Sequence, residues 1–515
     1  MAAESRTAKS LKNSVVALGF YFVNLVLQFF SRKVFLDHLG AEVLGLNTTA
    51  TNLLQFLNLA ELGIGAAIGY SLYKPLAYDD HRQVNDIISI QGYLYKKIGL
   101  AVLGGGCVLM CFFPWFFGKA GVPAWYTYAS FTVLLVSALA GYFFNYRQIV
   151  LTSDQKDYKL VSVTQTIRTI KVLLQILAIK FLPDGYVWWL ALELVATLAT
   201  VFGINVILRR EYPWLETDCR QGKRLMHEYP HIATKTKQLF FHKMASFALM
   251  QTSSLIIYAY ASLTLVALYG NYMLIVMGVT ALLNAIFNSI NAGVGNLVAE
   301  GDRKQIIRVF EELFSSRFLL VGTICYGVYL LTPPFITLWI GPEYLLDNLT
   351  LILIVAILYL SVMRSVVDAY IAAYGMYHDI WAPITEAAVN VGLSVLFGYF
   401  WGLHGILAGV LVSLLLIVFF WKPYFLFREG LRESLSKYVK IYAKHLTALA
   451  VVFLACRFAA SHTVTDPTAS YFGFGLYAAT SLGFFFVLLA ALLYGISHGM
   501  RDFMSRILSF LKRQP

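Results

Sequence analysis

Charge is what this sequence of 515 residues has least of. Charged residues make up 13% of it, against about 25% in a soluble domain, whose surface must be wetted. The length alone suggests about three or four soluble domains, but the polar surface to cover them is missing. Cysteine is also sparse. Of the five, Cys107 and Cys111 alone are close, one helical turn apart with no histidine beside them, which excludes a disulfide framework and a zinc site. There is no Gly-rich phosphate loop and no metal-ligand cluster. No polar segment is long enough for a soluble catalytic domain; the longest runs from Arg209 to Gln238.

What is abundant is apolar. Hydrophobic residues form 59% of the chain, so most of its outer surface must meet lipid. The sequence therefore predicts an all-α polytopic membrane protein. A helix needs about 20 apolar residues to cross the hydrocarbon core. Fourteen stretches qualify: 14–38, 42–72, 98–117, 125–148, 158–182, 186–208, 239–262, 266–297, 317–339, 349–374, 382–401, 404–426, 441–459 and 471–497. The basic start, followed by an apolar run without a small-residue cleavage site, is read as an uncleaved first span with its N-terminus inside. On this topology 32 of the 40 Lys and Arg fall on the cytoplasmic side, 5 outside and 3 within spans. That bias fits the positive-inside rule, with both termini cytoplasmic, and makes the net charge of +12 a matter of orientation rather than a nucleic-acid footprint.

Three weak echoes recur at nearly one offset. PWFFG from Pro114 returns as PFITLWIG from Pro334, 220 positions on; SDQKDY from Ser153 as GMYHDI from Gly375, 222 on; LGLN from Leu44 as LYGN from Leu268, 224 on. They predict two similar six-helix lobes, 1–208 and 239–427, joined by a basic amphipathic linker at the membrane surface (209–238), with two further helices and a basic tail in 428–515. Six spans per repeat preserve orientation, so the lobes are expected to be parallel around a central cavity.

Ionisable side chains within spans cost several kcal/mol unless they face protein or water. Arg168 and Lys171 lie about 15–20 Å deep in span 5 and share a face with Thr164 and Gln175. Either they face a cavity or they pair with an acid on another span. Of Arg32 and Lys33 at most one faces inward, since neighbours on a helix diverge by about 100°; snorkelling to the headgroups is the other reading. Glu61 sits among small residues in span 2, where it either pairs with an intramembrane base or carries a coupling ion. Arg364 and Asp368 are spaced to pair with each other. Glu193 and Glu386 are weaker candidates. Asn284, Asn288 and Asn291 stripe one face of span 8, as sugar contacts or as helix glue. A cationic cavity with amide stripes suits an anionic, glycosylated substrate, because Arg forks bind phosphate bidentately.

Four stretches carry a resemblance over nearly the whole chain: LGAEVLGLNTTATNLLQFLNLAELGIGAAIGYSLYKPL, NAGVGNLVAEGD, PPFITLWIGPEYLL and WAPITEAAVNVGLSVLFGYFWGLHGILAGVLVS. Together they resemble the Wzx-type bacterial polysaccharide flippases, the O-antigen and capsular repeat-unit exporters of the multidrug/oligosaccharidyl-lipid/polysaccharide (MOP) superfamily. The resemblance implies twelve or fourteen helices in two lobes in the bacterial cytoplasmic membrane. It implies alternating access that moves undecaprenyl-pyrophosphate-linked oligosaccharide from the inner to the outer leaflet, for polysaccharide biosynthesis. Membrane lipids and the polysaccharide polymerase machinery are the partners implied. No cofactor is expected beyond Na⁺ or H⁺ coupling, for which Glu61 and Asp368 are the candidates. Relatives often carry an acid early in span 7, where this chain reads TSSLII around Ser254.

Three other readings stand beside it: a multidrug antiporter of the same superfamily, a lipid II flippase that shares the carrier, and, in a different class, a membrane glycan polymerase or ligase. The last commonly places catalytic groups on a sizeable outer loop, whereas outer loops here are as short as Leu182–Gly185. Asp79, Asp80 and His81, and Asp154 with Asp157, read as solvated turn residues, so the chain is expected not to be an enzyme.

Overall fold

The computed structural model describes residues 6–61, 63–118, 121–230, 256–260, 262–376, 378–379, 381–460 and 466–512, together with 232, 234 and 236. The described residues contain no strand. Helices α1 (Arg6–Leu57), α2 (Ile64–Ala77), α3 (His81–Cys111), α4 (Ala124–Phe143), α5 (Asp157–Phe181) and α6 (Gly185–Glu211) are followed by α7 (Leu263–Glu300), α8 (Arg303–Trp339), α9 (Asn348–Ala373) and α10 (Trp381–Leu414). Helices α11 (Leu435–Ala460), α12 (Tyr471–Ile496) and α13 (His498–Lys512) complete the order.

Ten helices among the described residues are long and apolar enough to cross a membrane, and the chain is a multi-pass membrane protein. Nine coincide with one expected span each. The tenth, Trp381–Gly430, holds spans 11 and 12, separated at Gly402 (φ 55°, ψ −132°), a conformation open to glycine alone. The two arms then pack without side chains between them: a Cβ at Gly405 would lie 2.0 Å from the Phe397 carbonyl oxygen, and one at Gly409 2.4 Å from the Ser394 nitrogen. Ser394 Oγ donates to the Ile406 carbonyl across the same seam at 3.0 Å. Gly409→Val is expected to destabilise this hairpin by about 1–3 kcal/mol through overpacking, read as a lower melting midpoint of the detergent-purified protein; an unchanged midpoint would refute the seam.

Span 1 and the first half of span 2 fall within α1, broken at Gly40 (φ 80°). Span 2 is not the single helix expected over 42–72. It is interrupted by a 3₁₀ turn at Asn58–Glu61, and the chain resumes from Gly63 in left-handed conformation (φ 94°). Span 7, with Ser254, lies outside the described residues except at its C-terminal end. Span 9 begins earlier than expected: α8 runs from Arg303, with Phe310, Phe314 and Phe318 buried one turn apart as one continuous face.

The chain forms two compact units, Met1–Ala267 and Leu268–Pro515. Their helices repeat: α3 and α8 start at His81 and Arg303, 222 positions apart; α4 and α9 at Ala124 and Asn348, and α5 and α10 at Asp157 and Trp381, 224 apart in both cases. In unit 1, α1 packs on α4 and α5, and α6 on both of these. Residues 212–222 of the long polar stretch dock on α3: Asn85 Nδ2 donates to the Trp214 carbonyl at 3.2 Å, Asp218 N to Ser89 Oγ at 3.0 Å, and Trp214 stacks on His81 at 3.8 Å. In unit 2, α8 packs against α9, α12 and α13. His445 of α11 and Ser497 both bond Ser315 Oγ at 3.0 Å, and α13 is clamped to α8 by the pairs Arg308–Asp502 and Arg506–Glu312, each 2.9 Å.

Candidate functional site: polar groups within the membrane helices

A cavity of about 240 Å³ opens between α4, α5 and α6, lined by Ser137, Asn145, Thr164, Arg168, Lys171, Glu193, Thr197 and Thr200 among others. The 4-3-4 spacing of Thr164, Arg168, Lys171 and Gln175 aligns them on one face of α5. Lys171 is spoken for. Its Nζ meets Glu193 of α6 at 2.8 Å and 2.9 Å to the two carboxylate oxygens, and Gln175 Nε2 donates to the same carboxylate at 3.2 Å and to the Trp189 carbonyl at 3.0 Å. The alternative of an ion pair with another span is thus what the structure shows for Lys171.

Arg168 differs. It is exposed on the cavity side, and among the described residues no hydrogen bond or ion pair holds its guanidinium. A bare guanidinium at mid-span cannot face hydrocarbon, so this face of α5 must front water or polar groups. Hydroxyls and an amide surround it. Ser137 and Thr197 share a 2.8 Å hydrogen bond, and buried Asn145 keeps an Oδ1 without a partner among the described residues. With Lys171 and Glu193 cancelling, the cavity carries one net positive charge.

The corresponding place in unit 2 is filled differently. Asp368, Glu386 and Lys422 lie 223, 222 and 222 positions after Asn145, Thr164 and Thr200. There Arg364 bonds Asp368 at 3.0 Å, as its spacing predicted, and also Glu386 at 3.2 Å; Lys422 takes the other oxygen of Asp368. Two bases and two acids make a neutral cluster, with Glu386 only 1% exposed. Lys422, near the expected end of span 12, sits between two π-helical stretches, Leu415–Trp421 and Leu426–Gly430, irregularities common where helices serve a site.

Glu61 occupies the break between α1 and α2. It accepts from the Tyr95 hydroxyl at 2.6 Å, while the Tyr142 hydroxyl donates to Asn58 Oδ1 at 3.0 Å and the two rings meet edge to face at 5.6 Å. Neither Glu61 nor Arg32 lines the cavity of Arg168, and no intramembrane base is paired with Glu61 among the described residues. Arg32 points into protein, donating to the Ala267 carbonyl at 3.2 Å, whereas Lys33 stays half-exposed beside Asp37. Asn284 is exposed, and the side chains of Asn288 and Asn291 lie outside the described residues. The expected set is therefore not one cluster within unit 1.

One buried base escaped the sequence reading. Arg317, placed at the edge of span 9, is 2% exposed. It donates to Ser365 Oγ at 3.0 Å and the Phe287 carbonyl at 3.4 Å, lies 4.6 Å over the Phe287 ring, and leaves Nε without a partner among the described residues. The i,i+4 ladder of Phe310 and Phe314 upstream of it was the signal that the span begins before the apolar run.

No protein-family model matches the chain, and no curated protein matches it. Solved structures do. The lipid II flippase MurJ, in an inward closed conformation, superimposes with a TM-score of 0.64 at 13% identity, covering 94% of this chain and 98% of that one. An inward-facing multidrug resistance MATE family transporter of the MOP superfamily gives 0.60 at 14% identity, covering 81% and 98%. A MATE protein in a bent conformation gives 0.51 at 12% identity, covering 82% and 96%. At such identities the likeness speaks to the fold, and the chain has the fold shared by the flippase MurJ and the MATE transporters of the MOP superfamily.

Proposed function

We propose that the chain is a flippase that moves undecaprenyl-pyrophosphate-linked oligosaccharide from the inner to the outer leaflet of the bacterial cytoplasmic membrane by alternating access. The observation that carries this reading is Arg168, a guanidinium at mid-span that is unpaired among the described residues, in a cavity of hydroxyls and an amide. A pyrophosphate entering the membrane interior must exchange hydration for fixed donors, and a guanidinium fork supplies two at once. Thr164, Thr197, Thr200 and Asn145 offer hydrogen bonds to sugar hydroxyls. The fold shared with a lipid II flippase supports a lipid-linked cargo. For ion coupling, Glu61 is the acid of choice, because it meets hydroxyls rather than bases, while both oxygens of Asp368 are held by cations.

A second reading is multidrug export coupled to a cation, favoured by the MATE transporter's TM-score of 0.60, close to that of the flippase. The purified chain in liposomes separates the two. The flippase reading expects a fluorescent polyprenyl-pyrophosphate oligosaccharide to become accessible to an impermeant quencher on the opposite side. Ethidium transport driven by a Na⁺ or H⁺ gradient, without lipid movement, would overturn it.

A further inference from the structure

A second cavity, about 320 Å³, lies at the basic-rich end of α3, α4 and α6 and is lined by Lys96, Phe144, Arg147, Asn205, Thr217 and Arg220, with Phe143, Tyr146, Asp218 and Cys219 completing it. It shares no lining residue with the cavity of Arg168, and neither the proposed transport nor the packing of the helices accounts for it.

Its floor is rigid. Tyr146, 5% exposed, shares a 3.0 Å hydrogen bond with Thr217 Oγ1 and accepts from Cys219 Sγ at 3.3 Å. The 216–220 segment is pressed onto α3 at Gly92, where a Cβ would come within 2.4 Å of Cys219 Sγ. Arg147 is oriented by this floor: its Nε donates to the Tyr146 hydroxyl at 3.3 Å and its guanidinium lies over the Tyr146 ring at 5.5 Å. Both Nη groups are left without a hydrogen-bond partner among the described residues. The side chains of Lys96 and Arg220 make no hydrogen bond or ion pair among the described residues, and both act on Asp218 through their charge.

Three bases face one acid, Asp218, and that acid is already used. It accepts from the Arg220 backbone nitrogen at 2.9 Å and from Gln221 Nε2 at 3.1 Å, bonds that hold its carboxyl below the ordinary range and keep it ionised. The lining therefore carries two net positive charges. The fold does not require them. At 222 positions on, Lys96 and Arg147 correspond to Phe318 and Ala369, so the feature belongs to unit 1 alone.

We propose that this cavity binds a phosphate group, gripped by the free fork of Arg147 and the ammonium and guanidinium of Lys96 and Arg220, with Thr217 and Asn205 supplying neutral hydrogen bonds. Basic pockets between membrane helices are suited to phosphorylated headgroups, and Phe144, 58% exposed at the rim, gives an acyl chain an apolar exit. A free phosphate compound offers the same chemistry.

The test uses the full chain purified in detergent. Native mass spectrometry counts retained phosphatidylglycerol against phosphatidylcholine, and calorimetry measures inorganic pyrophosphate. Each Lys or Arg near an anionic group contributes about 1 kcal/mol, or about fivefold, so the double variant Lys96→Gln/Arg220→Gln is expected to bind about 25-fold more weakly. Both side chains are exposed, so the fold is untouched. Asp218→Asn removes the opposing charge and is expected to tighten binding about fivefold, a gain that a merely structural role would not give. Response to phosphatidylglycerol alone identifies a lipid headgroup; response to pyrophosphate as well identifies a site open to soluble phosphates. Retention of both probes at wild-type strength by the double variant, or no binding of either by the wild type, overturns the proposal.

Discussion

Arg168→Gln is expected to lower export of the lipid-linked glycan by about 10- to 150-fold while protein levels in the membrane stay normal. The range follows from the about 1.5–3 kcal/mol carried by a hydrogen bond to a charged group, at a factor of ten for each 1.4 kcal/mol. Protein levels hold because, among the described residues, Arg168 bonds nothing whose loss would unfold the chain. Arg168→Lys keeps the charge but not the fork, and an intermediate rate is expected. The neighbouring pair sharpens the test. Lys171→Gln leaves Glu193 unneutralised (2.8 Å from the former ammonium), so the cavity becomes neutral overall and holds a free carboxylate facing an anionic cargo. Export should fall. Adding Glu193→Gln restores the single net charge of Arg168, and export should recover. Normal export by Arg168→Gln, measured as glycan delivered to the cell surface, would remove this cavity from the transport path.

Arg364→Met is expected to destabilise unit 2 by about 3–5 kcal/mol, the loss measured when a buried charge is left without its partner. Glu386, 1% exposed with one carboxylate oxygen lacking any partner among the described residues, would lose its base altogether, and Asp368 would keep only Lys422. The double variant Arg364→Met/Glu386→Gln removes a charge of each sign, and most of the stability is expected to return. Thermal unfolding followed by fluorescence-detected size exclusion reads both. If the single variant unfolds at the wild-type temperature, the neutral cluster is not what holds α9 to α10.

The contrast between the two places in the repeat gives these predictions their meaning. Unit 1 offers a cavity whose cation has no partner among the described residues, whereas unit 2 fills the corresponding positions with four charges that satisfy one another. On the proposed function Arg168 reports on binding, whereas Arg364 reports on folding. Sequence spacing placed both bases within spans and could not say which was which, because the distinction rests on acids 22 residues away in each case: Glu193 for Lys171 and Glu386 for Arg364. Which helix neighbours which is decided by packing, not by local pattern.

The helices themselves were legible for a simpler reason. Lipid demands about 20 apolar residues per crossing, and that demand is written locally, so α3 to α6 and α8 to α12 coincide with apolar runs. The turn at Gly402 falls in the gap between the apolar runs expected at 382–401 and 404–426. Breaks and extensions were not. The interruption at Asn58–Glu61 depends on the hydroxyls of Tyr95 and Tyr142, distant in sequence, which satisfy side chains that an unbroken apolar helix would strand in lipid. The start of α8 lies within charged sequence that folds as helix because Phe310 and Phe314 face the core of unit 2. Arg317, at the edge of the expected span 317–339, was misplaced with it.

The most direct test of the proposed flippase activity deletes the gene and asks which lipid-linked glycan accumulates, and on which side of the membrane. Single oligosaccharide units on undecaprenyl pyrophosphate are expected, shielded from an impermeant probe applied outside, and released to the outside when the wild-type gene but not Arg168→Gln is returned. The same units accessible from outside would point to a polymerase or ligase, and no lipid-linked accumulation with altered drug sensitivity would point to an antiporter; either result would contradict it.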